Sequence, residues 1–595
     1  MVPDRFTLPR RALYTAVFLL FSLFLLVGCS TSETDSDRQF DAFLDQCFRE
    51  AVSCDAVTLH YTLSDPSSFG LSGDTVPAFS DLSLKAGQEQ CCRSAALLDR
   101  LKTFDPDSLD PDHAFLWQLL RQSLKADVEA GDYLLLQSPL GTNGLPSRIP
   151  LTLSEYYFDD EEDVQTYLSL ANQIPDLLTQ ILSFEQERHN AGITSPAFVI
   201  EHTVDQIGQF LSASENENLL IETFDDRIGQ IPSLSADQKN TYVSNNRALV
   251  RQVILPAYES LQQSLKQYLN ADTNRPAEKK ERLCQYEGGR EYYSLLLSAR
   301  VGTDMSPEEC IAALEETLRQ TAAEVVSLTR AHPDLYTKYL TAEPLLSDPD
   351  AILSQLKQEC LNHFPAGSDV SCTWKVVPES LSSTSASAFY LLPPIDRADT
   401  NRIYINANRV DERELFSTLA HEGYPGHLYQ NTYYLHTDPE PLRSLLRCDG
   451  YDEGWGVYAQ LFSYRYMEWK DTDRETADCL RQLYRDNDIL SIVLSCLSDL
   501  YVNYADYTSE ELTQYLCRMG VGEESARQIY EYVTENPVSY LSYGIGWYEL
   551  EELRRDMEEE LKDRFDLSLF HKAVLDCGSC PFPLLKEQVH KTLCT

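Results

Sequence analysis

Two imidazoles flank a carboxylate in His421-Glu422-Gly423-Tyr424-Pro425-Gly426-His427, within a chain that has 11 histidines among 595 residues. Neutral imidazoles hold zinc, and a glutamate that stays off the metal accepts a proton from the water the metal activates. The common metalloprotease helix spaces its histidines four apart, one turn along a single face. Here they are six apart, an advance of about 600°, which leaves the rings about 120° apart on an undistorted helix. Such a helix would not chelate. Pro425 supplies a distortion, because it offers no amide proton to the carbonyl of His421, and Gly426 permits an unusual turn. His427 then swings back toward His421, and a third ligand is needed. Glu453, in Gly450-Tyr-Asp-Glu-Gly-Trp-Gly-Val-Tyr458, is the choice, with Asp449, Asp452 and His436 as rivals. Gly454 and Gly456 let this segment approach the histidine helix closely.

The elements that must position these groups are also written in the pattern. Asp411-Glu-Arg-Glu414 reads as a helix cap with Glu at the third position, and Leu415, Phe416, Leu419 and Ala420 then share one face. A buried helix runs into His421. Just before it, Phe389 to Leu392 and Arg402 to Asn406 are β-prone runs separated by Pro393-Pro394 and Asp399, which predicts two strands of a small sheet. Elsewhere the apolar spacing is helical, as at Leu97, Leu98 and Leu101, or Leu116, Leu119, Leu120 and Leu124. Ser306-Pro-Glu-Glu309 and Thr508-Ser-Glu-Glu511 are helix starts. Gly and Pro punctuate Pro139 to Pro150 and Asn270 to Lys279, and the second is read as a lobe boundary. No repeat of fixed period argues for a solenoid.

The formal charge of -44, from 49 basic and 93 acidic residues, argues against nucleic acid as a partner. At the N-terminus Arg5, Arg10 and Arg11 precede an apolar run from Ala12 to Gly28, the pattern of a secretory signal. It ends in Leu26-Val27-Gly28-Cys29, which looks like a bacterial lipoprotein cleavage box with Cys29 as the lipidated residue. An uncleaved anchor is the alternative, and both place the rest outside the cytoplasm, on the bacterial cell envelope. Ser30 to Asp37 reads as a polar tether. Fifteen further cysteines are an odd number where disulfides are permitted, so at least one stays unpaired unless chains are cross-linked. Cys577-Gly-Ser-Cys580 lacks a thioredoxin context and reads as a local disulfide or free thiols.

His421-Glu-x-x-Pro-Gly-His427, Glu453-Gly-Trp with Tyr458, and Pro537 through Ser542-Tyr543-x-Ile545-Gly546 to Leu553-Arg554 together resemble the bacterial family called domain of unknown function 885. Gly289 with Tyr292 or Tyr293, Ser306 to Glu309, and Phe570-His571 before Gly578 extend the resemblance over about residues 285 to 595. That family is similar to helical zinc peptidases such as angiotensin-converting enzyme and thimet oligopeptidase. The resemblance implies a mainly α, two-lobed helical zincin-like fold with a deep cleft and a small β-sheet near the active site. It divides the chain into a signal peptide (1–28), a lipidated Cys and tether (29–38), an N-terminal helical lobe (39–275) and a catalytic lobe (276–595). His421, His427 and Glu453 would hold zinc, Glu422 would act as general base and then acid, and Tyr543 would hydrogen-bond the oxyanion. The strand around Tyr390 would pair with an extended peptide. One departure concerns an Asp-x-Gly-x-His segment of the family, which here reads Asp499-Leu-Tyr-Val-Asn503. Asn503 would replace the histidine as a neutral donor or leave activity reduced. The function expected is a membrane-anchored zinc peptidase. The alternatives are a lipoprotein that binds peptides or small solutes without turnover, and a zinc hydrolase of non-peptide amides.

Overall fold

The computed structural model describes residues 35–71, 77–214, 217–272, 280–367, 370–377 and 386–594. The signal segment, Cys29 and most of the tether lie outside them. Asp35 to Asp37, expected as tether, instead open the first helix, Asp35–Val52, because the Phe40, Phe43, Leu44, Cys47 and Phe48 face that follows has a core to enter. Among the described residues no helix is long and apolar enough to cross a membrane.

The molecule is mainly helical, and its buried apolar residues fall into two large cores. One joins Leu140 to Leu265, including the helices Glu161–Asn190 and Leu219–Gln230. The other runs from Phe40 to Leu124 and resumes from Leu283 to Val589. The packing therefore does not divide at residue 275 as the expected lobes do. Helix Asp35–Val52 lies against the turn Pro441–Ser444, and helix Pro111–Ala130 against Gly289–Leu296, so the first hundred residues share a core with the C-terminal half. The stretch Pro139 to Pro150 is also more ordered than its composition suggests. It contains a helix, Leu145–Glu155, with Pro150 inside. Proline cannot donate to the carbonyl four residues back, and the buried Tyr258 hydroxyl donates to that carbonyl, on Pro146, at 2.9 Å.

A three-stranded sheet stands beside the site: β1 (Ser371–Val376), β2 (Ala388–Leu391) and β3 (Thr400–Ile405), in the order β1-β3-β2. β1 runs parallel to β3 and β2 antiparallel, with Phe389 opposite Tyr404 and Tyr390 opposite Ile403. The strands at β2 and β3 match the sequence reading, and β1 adds a third. β2 is an edge. The carbonyl of Ser387 accepts from Asn406 on the β3 side, so with the strand period of two the backbone groups of Ala388 and Tyr390 face outward.

Six helices carry the site residues and their supports. They are α1 (Leu415–Glu422), α2 (His427–Leu435), α3 (Asp449–Ser463), α4 (Arg474–Asn503), α5 (Ser539–Leu561) and α6 (Leu567–Cys577). α1 begins later than its expected cap at Asp411, whose carboxylate instead accepts from the Arg413 amide in a preceding turn, at 2.9 Å. α3 and α5 cross backbone to backbone. A Cβ on Gly454 would collide with the backbone of Gly546, and one on Gly546 with that of Gly450. Only glycine allows this approach, which sets Glu453 beside Tyr543.

Candidate metal centre

The proline break works as the spacing requires. α1 stops at Glu422, a cis Tyr424-Pro425 bond and Gly426 turn the chain, and α2 starts at His427. Gly426 sits so close to the last turn of α1 that a Cβ would collide with the carbonyls of Ala420 and His421. The indole of Trp455 on α3 donates to the Pro425 carbonyl at 2.8 Å and fixes the turn. The two imidazoles end 4.7 Å apart, nearly perpendicular at 83°.

Glu453 completes the set. Its Oε2 lies 3.5 Å from His421 Nε2 and 3.4 Å from His427 Nε2. Donor atoms held at about 2.0–2.2 Å around a tetrahedral zinc are separated by roughly 3.4 Å along each edge, so both spacings fit one ion. All three donor atoms lie within 4.8 Å of one another. The rivals are committed elsewhere. Asp449 pairs with Arg300 at 3.1 Å, Asp452 accepts from Arg447 and Ser579, and His436 faces Asp399 and the carbonyl of Thr432.

Gly456 and Gln460 shape the place of His421. A Cβ at Gly456 would come within 2.6 Å of Nε2 and 2.7 Å of Cε1, so this glycine makes room for the ring. Gly456 therefore does what was expected of it, whereas Gly454 faces α5 rather than the histidine helix. Gln460 Oε1 lies 3.2 Å from His421 Nδ1, and its amide nitrogen donates to Asp488 at 2.8 Å. Because the Asp488 carboxylate takes the NH₂ end, the oxygen is left to accept from Nδ1, and Nε2 keeps its lone pair for the site. Sequence reading missed Gln460, although Glu453, Gly456 and Gln460 share one face at helical spacing.

Glu422 and Tyr543 stand beside the donors and belong to none of the ligand distances. One oxygen of Glu422 accepts from the Tyr390 amide of β2 at 2.8 Å. Burial holds its carboxyl above the usual range, against the opposing pull of His421 and His427. Tyr543 on α5 stacks toward His421 with centroids 6.1 Å apart. Burial and then the Glu453 and Glu422 carboxylates raise its phenol well above 10, so it remains a proton donor. For Glu453 burial works against the charge, yet the two imidazoles that face it keep its carboxyl below the ordinary range. All five side chains line a cavity of about 490 Å³ that also takes in Ala388, Phe389 and Tyr390.

Asn503 does not join them. It is fully buried at the end of α4, where its amide donates to Asp499 at 3.1 Å and to the Val533 carbonyl at 2.7 Å. Asp499 also accepts from Tyr293 and from the amide of Val538, whose φ of +70° caps α5. The expected catalytic donor is thus a support beneath the helix that carries Tyr543. Cys577 ends α6 and Cys580 lies in the turn after it, with their sulfurs 3.5 Å apart.

Fold and site together define a mainly helical protein with a His/His/Glu donor set in a cavity at the edge of a small sheet. The chain belongs to the bacterial family of proteins of unknown function DUF885, whose model matches residues 66–589. A candidate lipoprotein from Colwellia psychrerythraea has a similar structure, with a TM-score of 0.82 at 18% identity over 94% of this chain and 100% of its own. A candidate lipoprotein of unknown function from Shewanella oneidensis has a TM-score of 0.62 at 16% identity, over 92% and 99%. No curated protein matches.

Proposed function

We propose that this protein is a zinc-dependent peptidase of zincin-like fold, held on the outer side of a bacterial membrane by a lipid on Cys29. The observation that carries this reading is the convergence of His421 and His427 Nε2 on one oxygen of Glu453, at 3.5 and 3.4 Å, with Glu422 alongside but outside the set. Zinc bound there supplies Lewis acidity toward a substrate carbonyl and an attacking water. Glu422 takes the proton from that water and returns it to the leaving amine, a role helped by a carboxyl whose affinity for protons burial has raised. The Tyr390 amide holds one Glu422 oxygen, which leaves the other for the proton. Tyr543 donates to the oxygen on which negative charge grows. The outward groups of Ala388 and the outward carbonyl of Tyr390 at the edge of β2 can pair with an extended peptide backbone and lay its carbonyl across the donors. Anchoring is supported by the basic and apolar segment ending at Cys29 and by the lipoprotein descriptions of the two similar structures.

Metal analysis of the purified chain, with digestion of a peptide library read by mass spectrometry, tests the reading. About one zinc per chain is expected. Glu422→Gln is expected to keep that zinc and to lose cleavage by about 10²- to 10⁴-fold. A folded protein that takes up no zinc, or a Glu422→Gln variant that cleaves as well as the parent, would overturn it. Binding of peptides by the zinc-loaded parent without any product would instead favour the non-catalytic alternative.

A further inference from the structure

We infer that a second cavity, on the opposite face of α3 from the donor set, binds a small doubly charged oxyanion of phosphate or dicarboxylate type. It has a volume of about 350 Å³ and is lined by Arg465, Arg481, Arg485 and Arg554, with Glu551 as its carboxylate. Four arginines against one lining carboxylate reverse the balance of a chain with 49 basic and 93 acidic residues. Guanidinium groups with parallel N–H donors match the paired oxygens of such anions.

The four differ in what already holds them. Arg554 is bound by Glu551 at 2.5 Å and by Glu558. Arg481 is bound by Asp478 at 2.6 Å and by the Met467 carbonyl at 2.9 Å. Arg485 has a single ion-pair contact, to Asp486 at 3.4 Å, which leaves most of its guanidinium donors uncommitted to carboxylates. Arg465 forms no ion pair among the described residues. It donates through Nε to the Phe462 carbonyl at 3.0 Å and lies with its guanidinium carbon 3.3 Å from the centroid of that ring. Burial, and the like charges of Arg554 and Arg485, lower its affinity for protons below the usual arginine range. Arg465 and Arg485 thus both line the opening with donors to spare, and a bound anion would offset the repulsion between the like charges. Tyr458, Phe462 and Trp547 give the opening aromatic walls. Its volume exceeds that of about ten waters, so it accommodates a small organic anion as well as phosphate itself. Tyr458 and Phe462 come from α3 and Trp547 and Arg554 from α5, the helices that also carry Glu453 and Tyr543.

Calorimetric titration of the full-length chain in detergent tests this without reference to metal or cleavage. The probes are inorganic phosphate and succinate, each against a chloride background of equal ionic strength. Saturable binding of at least one is expected, and the stronger of the two assigns the oxyanion type. In the Arg465→Gln/Arg485→Gln double variant that binding should weaken at least fivefold, while the circular dichroism spectrum and metal content stay as in the parent. If the double variant does not fold, Arg465→Gln alone, which breaks no ion pair among the described residues, is held to the same fivefold criterion. Absence of saturable binding to both probes, or a weakening smaller than fivefold, would overturn the inference.

Discussion

Two clusters among the described residues that combine histidine with carboxylates, one around His113 and one around His421 and His427, hold their rings in different ways. Around His113 stand Asp37, Asp41 and Asp110, close enough for three of the four to count as possible ligands. Yet their lone pairs are occupied. Asp110 caps its helix by accepting from the amides of Asp112 and His113, and Asp37 accepts from the Asp110 amide. Both nitrogens of the His113 ring face carboxylates, at 2.8 Å on either side, which favours the imidazolium with no lone pair left. His421 has an amide oxygen on Nδ1 and shares one carboxylate with His427 through Nε2. Both places combine imidazole with carboxylate. The second partner of the ring, a carboxylate at His113 and an amide at His421, is what differs between them.

The sharpest way to break this contrast is to remove one donor from each cluster. His427→Ala or Glu453→Ala should reduce bound zinc from about one per chain to near zero after dialysis against a weak chelator, whereas His113→Ala should leave it unchanged. Zinc that survives in His427→Ala, or leaves with His113, would show that the comparison has been drawn between the wrong sites.

A smaller effect isolates the supports of His421. Gln460→Ala removes the acceptor that keeps the Nδ1 proton in place and should weaken zinc by about 10- to 100-fold, read by competition with a fluorescent chelator. Gly456→Ala brings a methyl to within 2.6 Å of the ring and should weaken zinc by at least as much, with the fold intact by circular dichroism. Unchanged affinity in both would mean that His421 does not depend on α3 for its orientation.

These supports also mark where sequence reading stopped. His421, Glu422 and His427 could be read because Pro425 makes a definite demand on the backbone, and Glu453 because its glycine-rich helix needed a close neighbour. Gln460 has neither charge nor metal chemistry of its own, so nothing singled it out except its face on α3. Asn503 was misplaced because its surroundings are set by distant residues: Tyr293, Val533 and the left-handed turn at Val538. Helical periodicity identified Leu116, Leu119, Leu120 and Leu124 as a buried face but carried no information about what covers it. Part of that cover is the nearby helix Leu84–Leu101, and part lies more than 150 positions along the chain, in Gly289–Leu296, so the buried cores do not follow the expected boundary. β1 escaped notice although Cys372, Trp374 and Val376 alternate with polar residues, because the run is short and none of its side chains is fully buried.

The last contrast is one of pH, and its effect should be the smallest. Burial disfavours the charge on His113, but Asp110 and Asp41, with hydrogen bonds to Asp37 and Asp41, raise its pKa above the ordinary 6.5. Glu440 adds a further carboxyl nearby. A histidine whose pKa is raised by folding contributes stability that is complete below the unfolded value, about 6.5, and is lost as pH rises through the folded value. His113→Gln removes that contribution, so the fall in urea midpoint between about pH 6 and pH 9 should be shallower in the variant than in the parent, with zinc content equal in both. The difference should amount to about 1 kcal/mol or less, because Asp41 and Asp110 are partly exposed and screened. An equal or steeper fall in His113→Gln would mean that the ring is neutral in the folded parent, with a lone pair available, and the distinction between the two clusters would have to rest on geometry alone.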